Sequence, residues 1–171
     1  MQRIVLIGMM GSGKSTVGRW VAEQLHLPFL DTDQLVVQAE GRDIPRIFAE
    51  SGEARFREIE RRVVRGALES EPAVISLGGG AFIDPETRAL VKERAVSLYL
   101  NPGLRELVKR VGDGSTRPLL AGQNIAETMR QKLEERGPLY AEADYTLHTT
   151  GMTPERVGFD ILTLLGAVGR S

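Results

Sequence analysis

Short apolar runs alternate along the chain with longer stretches in which apolar residues return every three or four positions. The runs Arg3–Ile7, Phe29–Asp31, Ala73–Leu77, Ala95–Leu100 and Tyr145–His148 are too short for helices and are bounded by Gly, Pro or polar residues. They read as buried strands. Helical spacing follows the first run, with Val17, Trp20, Val21 and Leu25 on one stripe, and recurs at Phe56, Ile59, Val63, Val64 and Ala67. Residues 34–50 read as one or two short helices, broken near Gly41 and restarted at Pro45, with Gly52 ahead of the second stripe. Asp84-Pro85, Asn101-Pro102 and Thr153-Pro154 carry the cap-then-proline signal for three more helices, the second bearing Leu104, Leu107, Val108 and Val111 and the third Val157, Ile161, Leu164 and Leu165. Residues 124–136 read as a further helix ending before Gly137-Pro138, and residues 112–122 are too irregular for an element.

Strand and helix in strict alternation imply an α/β fold, a mostly parallel sheet covered by helices on both faces. Such sheets bind ligands beyond the carboxyl ends of their strands. Three unusual stretches fall there: the loop after Ile7, Asp31-Thr32-Asp33, and Gly78-Gly79-Gly80. No linker or repeat divides residues 1–171, so one domain is expected.

Gly8-Met9-Met10-Gly11-Ser12-Gly13-Lys14-Ser15 matches G-x-x-x-x-G-K-S/T in full, between an apolar strand and an amphipathic helix. Its glycines let backbone N–H groups and the helix start approach phosphate oxygens. Lys14 would reach the β- and γ-phosphates and Ser15 would take a Mg²⁺ ion. A nucleoside triphosphate is implied; its acceptor is not. The two methionines read as spacer within the loop.

Elsewhere the chemistry is less determined. Side chains alternate along a strand, so Asp31 and Asp33 are expected to share a face, as ligands of one cation, as a proton-sharing pair, or as groups with separate tasks. Three successive glycines cost conformational entropy, so a close ligand approach or an unusual turn is expected at 78–80. Arg117, in a Gly-rich stretch beside Pro118, suits a lid closing on a phosphoryl group. By spacing alone Arg57 and Arg136 are ordinary surface arginines, although two forked guanidiniums would suit an acceptor carboxylate. His26 and His148 have no partner pattern and read as structural.

The 22 basic and 23 acidic residues nearly cancel, so charge gives no pull toward nucleic acid or an anionic membrane. The absence of cysteine excludes disulfides and thiolate metal sites. The apolar start is too short for a secretory signal or a span, which makes a cytoplasmic location the expectation. No N-K-x-D motif is present, which argues against a GTPase switch and for a small-molecule kinase.

Taken together, G-x-M-G-S-G-K-S-T-V-G-R at 8–19, D-T-D at 31–33, G-E-x-x-F-R-x-x-E at 52–60, L-G-G-G-A at 77–81, R-P-L-L at 117–120 and R-x-P-L-Y at 136–140 resemble the shikimate kinase family. The resemblance implies a three-layer P-loop kinase fold with a five-stranded parallel sheet in the order 2-3-1-4-5, a substrate-binding region at about 34–62 and a lid at about 112–122. It implies transfer of the γ-phosphoryl of MgATP to the 3-hydroxyl of shikimate. Nucleotide contacts are implied for Gly11, Ser12, Gly13, Lys14, Ser15, Thr16, Arg110 and Arg117, and Mg²⁺ contacts for Ser15 and Asp31. Asp33 is implied as the base, acting with Lys14 and Arg117, and shikimate contacts for Asp33, Arg57, Gly78, Gly79, Gly80 and Arg136. The partners expected are shikimate and ATP, with no nucleic acid and no membrane, and the chain is expected to be a monomer. A gluconate or nucleoside monophosphate kinase, or a nucleotide-binding module without transfer activity, shares the phosphate loop but not the combined motif set. No base contact is assigned at 148–154.

Overall fold

In the computed structural model, residues 2–112 and 124–168 are described. Five strands, β1 (Arg3–Ile7), β2 (Phe29–Asp31), β3 (Val74–Ser76), β4 (Ala95–Asn101) and β5 (Tyr145–His148), form one sheet in the order β2-β3-β1-β4-β5. Every pairing is parallel, with Ile4 opposite both Val74 and Val96. The expected sheet and strand order are observed. Sequence-adjacent strands leave β1 on opposite sides, which opens a crevice at its carboxyl end.

Both faces of the sheet are covered, which explains why the inner strands are almost wholly buried and mostly apolar. Alternate residues of β1 feed different cores: Val5 and Ile7 pack with Ile75, Leu77, Phe82 and Tyr140, whereas Ile4 and Leu6 pack with Val17, Val21, Leu98 and Ile161. A third, small core of Val36, Ile47, Phe56 and Ile59 lies between α2 (Thr32–Glu40) and α3 (Ile44–Glu69). The remaining helices are α1 (Lys14–Leu25), α4 (Pro85–Arg94), α5 (Leu104–Val111), α6 (Ile125–Tyr140) and α7 (Pro154–Val168). None among the described residues is long and apolar enough to cross a membrane.

Several boundaries follow the sequence signals. Asp84 caps α4 by accepting the Thr87 N–H at 2.9 Å, with Pro85 first in the helix. His26 closes α1 in the left-handed conformation, a structural role. Gly52, at φ 81° and ψ 167°, kinks α3 between the Pro45 turn and the Phe56 stripe.

Others differ. The strand at Phe29 stops at Asp31 and the chain turns into α2 at Thr32, because Asp31 is a helix cap whose carboxylate accepts the Asp33 and Gln34 N–H groups. Strand alternation therefore does not relate Asp31 to Asp33. The cap of α5 is Gly103 rather than Asn101, which ends β4 and accepts the Gly103 N–H at 3.1 Å. Helix α6 continues through Gly137-Pro138 to Tyr140. Proline there removes one N–H near the helix end, and Tyr140, fully buried in the core, holds the last turn in place.

Candidate active site

The phosphate loop joins β1 to α1. Gly13 stands at the helix N-cap with φ 90°, a conformation that glycine adopts without steric cost. Lys14 is buried, and its ammonium donates to the Gly8 and Met9 carbonyls at 2.8 and 3.0 Å. The loop thus holds its own cation at the mouth of the sheet crevice. Next in the helix, Ser15 Oγ donates to Asp31 Oδ2 at 2.8 Å and lies 3.5 Å from Ser76 Oγ. The second Asp31 oxygen is spent on capping α2, so this carboxylate is oriented from two sides.

Asp33 sits in the first turn of α2, one residue beyond fully buried Thr32. Thr32 Oγ1 accepts the Gly78 N–H at 2.9 Å, which links this turn to the glycine triplet. None of the three glycines takes a positive φ; their small size is used to make room. A β-carbon on Gly78 would stand 2.6 Å from Asp33 Oδ1, and one on Gly80 would stand 2.7 Å from Arg57 Nη2. On Gly79 it would lie 3.5 Å from Arg136 Nη1. Each glycine therefore abuts a different candidate side chain.

Two cavities meet here. One, of about 570 Å³, is lined on its polar side by Asp33, Arg57, Glu60, Gly79, Gly80 and Arg136. Ile44, Pro45, Phe48 and Phe56 furnish its apolar wall. The other, of about 230 Å³, is lined by Lys14, Ser15, Thr16, Asp31, Ser76 and Gly78, among others. Met10, Asp33 and Gly79 border both. The lining of the larger cavity suits a polar ring with an apolar face, and that of the smaller suits phosphate and a cation.

Arg57 and Arg136 both line the larger cavity, so the surface reading does not hold for either. Arg57 Nη1 donates to Glu60 at 2.8 Å. Arg136 is buried, and its Nη1 has no hydrogen-bond partner. A buried forked cation with an open donor is suited to an incoming carboxylate. Burial raises the Glu60 carboxyl above its ordinary value, against the opposing pull of Arg57. Burial also lowers the ammonium of Lys132, one turn before Arg136, and the Arg136 charge adds to that.

A third cavity, of about 360 Å³, runs along the outer side of the loop past Gly11, Gly13, Thr16, Arg110, Thr149 and Met152. Arg110 donates to the Gly11 carbonyl at 3.2 Å and pairs with Glu106. Thr149 is buried there with an unpartnered hydroxyl. Arg117 and the expected lid beyond Gly112 lie outside the described residues.

Sequence reasoning missed Glu60, Tyr140 and Met10. The first closes the G-E-x-x-F-R-x-x-E motif three residues after Arg57, and the second closes R-x-P-L-Y; both spacings put them on the face of their helix that carries an arginine. Met10, read as spacer, separates the two cavities. Met9 is fully buried in the core.

A family model described as shikimate kinase matches residues 10–165. The shikimate kinase of Caulobacter vibrioides is 47% identical over 163 residues, 95% of this chain and 81% of the relative. The chain belongs to the shikimate kinase family. A structure of the shikimate kinase from Acinetobacter baumannii in complex with shikimate superposes with a TM-score of 0.94 at 35% identity, over 98% of this chain and 94% of that one. The Aquifex aeolicus shikimate kinase gives 0.87 at 36% identity over 98% of each chain.

As a member of the shikimate kinase family the chain is an enzyme, an ATP-dependent kinase with an alcohol acceptor. A gluconate or monophosphate kinase and a transfer-inactive module are set aside. The donor set beside the phosphate loop is oxygen only, from Ser15, Asp31 and Ser76. Among the described residues no group of three His, Cys, Asp or Glu is assembled. Few hard protein ligands beside a phosphate cradle fit Mg²⁺, which keeps waters and substrate phosphates as its other ligands.

Proposed function

We propose that this enzyme transfers the γ-phosphoryl of MgATP to the 3-hydroxyl of shikimate, with the phosphates in the smaller cavity and the acceptor in the larger. The observation that carries this reading is the shared border of the two cavities at Asp33 and Gly79. A hydroxyl held at Asp33 lies on the border between the acceptor cavity and the cavity that Lys14 lines.

The roles are those the family resemblance implies, and the placement of the described residues supports them. Gly11, Ser12, Gly13 and Thr16 wrap the phosphates, and Lys14 shifts from loop carbonyls to phosphate oxygens. Ser15 and Asp31 hold Mg²⁺, which neutralises charge on the phosphates when bound. Arg57 and Arg136 grip the shikimate carboxylate, and Gly78, Gly79 and Gly80 contact the ring hydroxyls. The clamp at one end and Asp33 at the other align the hydroxyl with the phosphorus. As the new O–P bond forms and the bond to the β-phosphate oxygen breaks, Asp33 takes the hydroxyl proton and ADP departs with the bonding electrons. Arg110 packs against the base in the third cavity. Arg117, on its R-P-L-L motif, closes onto the γ-phosphoryl. Balanced charge supports an enzyme without nucleic-acid or membrane partners, and we infer a cytoplasmic monomer.

The test is ADP formation measured with shikimate, gluconate and a nucleoside monophosphate, each with MgATP. Stimulation by shikimate alone, with the product phosphorylated at the 3-position by NMR, is expected. Stimulation by either other acceptor, or by none, overturns the reading.

A further inference from the structure

Two buried hydroxyls hold the glycine triplet, and neither lines the acceptor or the donor cavity. Thr32, fully buried, accepts the Gly78 N–H at 2.9 Å. Tyr140, also fully buried, donates to the Gly79 carbonyl. The two bonds thus fix successive residues of one short loop. They come from separate segments: Thr32 immediately precedes Asp33, and Tyr140 lies one helical turn beyond Arg136.

Tyr140 is itself constrained. Its ring packs on Tyr99 at a centroid distance of 5.2 Å, and its hydroxyl lies 3.8 Å from Met9 Sδ. Met9 is part of the phosphate loop, so the chain of contacts runs from that loop through Tyr140 to the triplet. A run of three glycines has more conformational freedom than any other tripeptide. Here that run abuts Asp33, Arg136 and Arg57 in turn, and a shift of the triplet opens or closes the space for all three.

We propose that Thr32 and Tyr140 are positioning residues for the acceptor. They lock the triplet so that Asp33 and the Arg57–Arg136 pair stand at a fixed separation, matched to a ring with a carboxylate at one end and a hydroxyl at the other. The inference rests on the acceptor reading given above. It makes acceptor affinity depend on two side chains that the acceptor does not touch.

The experiment compares Thr32→Val, Thr32→Ser and Tyr140→Phe with the native enzyme, by kinetics in both substrates and by thermal melting. Thr32→Val keeps the shape and removes the acceptor oxygen; Tyr140→Phe removes the hydroxyl, which donates to Gly79 and also interacts with Arg136. Each should raise the shikimate KM about five- to tenfold, the usual effect of stranding a buried hydrogen-bonding group. The ATP KM should change by less than about twofold, and Thr32→Ser should restore native values. The double variant Thr32→Val/Tyr140→Phe should show less than the product of the single effects, since both bonds hold one loop.

A shared structural weakening would instead move both KM values together with the melting temperature. That outcome overturns the proposal, as does an unchanged shikimate KM or a Thr32→Ser variant that behaves like Thr32→Val. If Thr32→Val does not fold, Tyr140→Phe decides by the same ratio of KM values. Native enzyme without shikimate-stimulated ADP formation would overturn the acceptor reading itself, a result distinct from any of these.

Discussion

Gly78 lies so close to Asp33 that a β-carbon built on it would stand 2.6 Å from the Asp33 Oδ1 oxygen. Real β-carbons do not approach oxygen that closely, so any larger residue must displace the carboxylate. Gly80 stands in the same relation to the Arg57 guanidinium. The triplet is therefore shaped around the side chains proposed to grip the acceptor.

Alanine at these positions should separate catalysis from binding. Gly78→Ala should reduce kcat by about a hundredfold or more, because it moves the carboxylate proposed to receive the proton. Gly80→Ala should act mainly on the shikimate KM, because it moves one arm of the proposed carboxylate clamp. Nucleotide affinity, measured by calorimetry, should stay near native in both. Equal effects of the two variants on kcat and KM would show that the loop responds as a unit and not glycine by glycine.

Asp33→Asn tests the proton acceptor directly. The amide keeps the size of the side chain and loses its basicity. Turnover should fall by about 10²- to 10⁴-fold, the range for removing a general base. ATP affinity should be largely preserved, since Lys14, Ser15 and Asp31 are untouched. Near-native turnover would leave Asp33 a role in orienting the hydroxyl and none in accepting its proton.

The fold was legible because each strand was a short apolar run and each helix a stripe with a cap; Asp84-Pro85 placed α4 to the residue. The errors arose where one side chain had two readings. Strand alternation carried from Asp31 to Asp33 does not hold, because the Asp31 carboxylate caps a helix that starts at Thr32. Gly137-Pro138 looked like a stop, but burial of Tyr140 outweighs the loss of one N–H. The phosphate loop was fully readable from spacing because its chemistry is local. Arg57 and Arg136 were not, since their convergence is created by the tertiary fold; only the resemblance singled them out. Glu60 carried a signal three residues from Arg57 that was visible but unweighted.

Glu60 should give the protein a characteristic pH dependence. Burial raises its carboxyl in the folded state above the unfolded value of 4.5, with Arg57 opposing. Below the unfolded value both states are protonated and there is no cost. As pH rises through the window up to the raised folded value, the unfolded chain gives up the proton while the native one keeps it. Stability therefore falls with rising pH across that window, by at most about 1.4 kcal/mol per pH unit. Glu60→Gln has no such contribution. Urea unfolding of both proteins from about pH 4 to about pH 8 should show the variant gaining on the native protein as pH increases. A difference that is flat, or that grows toward acid, would contradict the burial of this carboxyl.

Arg136 should show the opposite trade between stability and function. It is buried with one guanidinium nitrogen unpartnered, an arrangement that costs stability until a carboxylate arrives. Arg136→Met has similar length and no charge. In the absence of shikimate it should melt at or above the native temperature. The native enzyme should gain about 2.7 kcal/mol when shikimate is present at a hundred times its dissociation constant, and the variant should gain almost nothing at the same concentration. Its shikimate KM should rise by about a hundredfold, the loss expected for two charge-assisted hydrogen bonds, with the ATP KM little changed. Melting curves with and without shikimate check both halves together. A variant that is strongly destabilised without ligand would make Arg136 a structural cation; one that still responds fully to shikimate would place the carboxylate elsewhere.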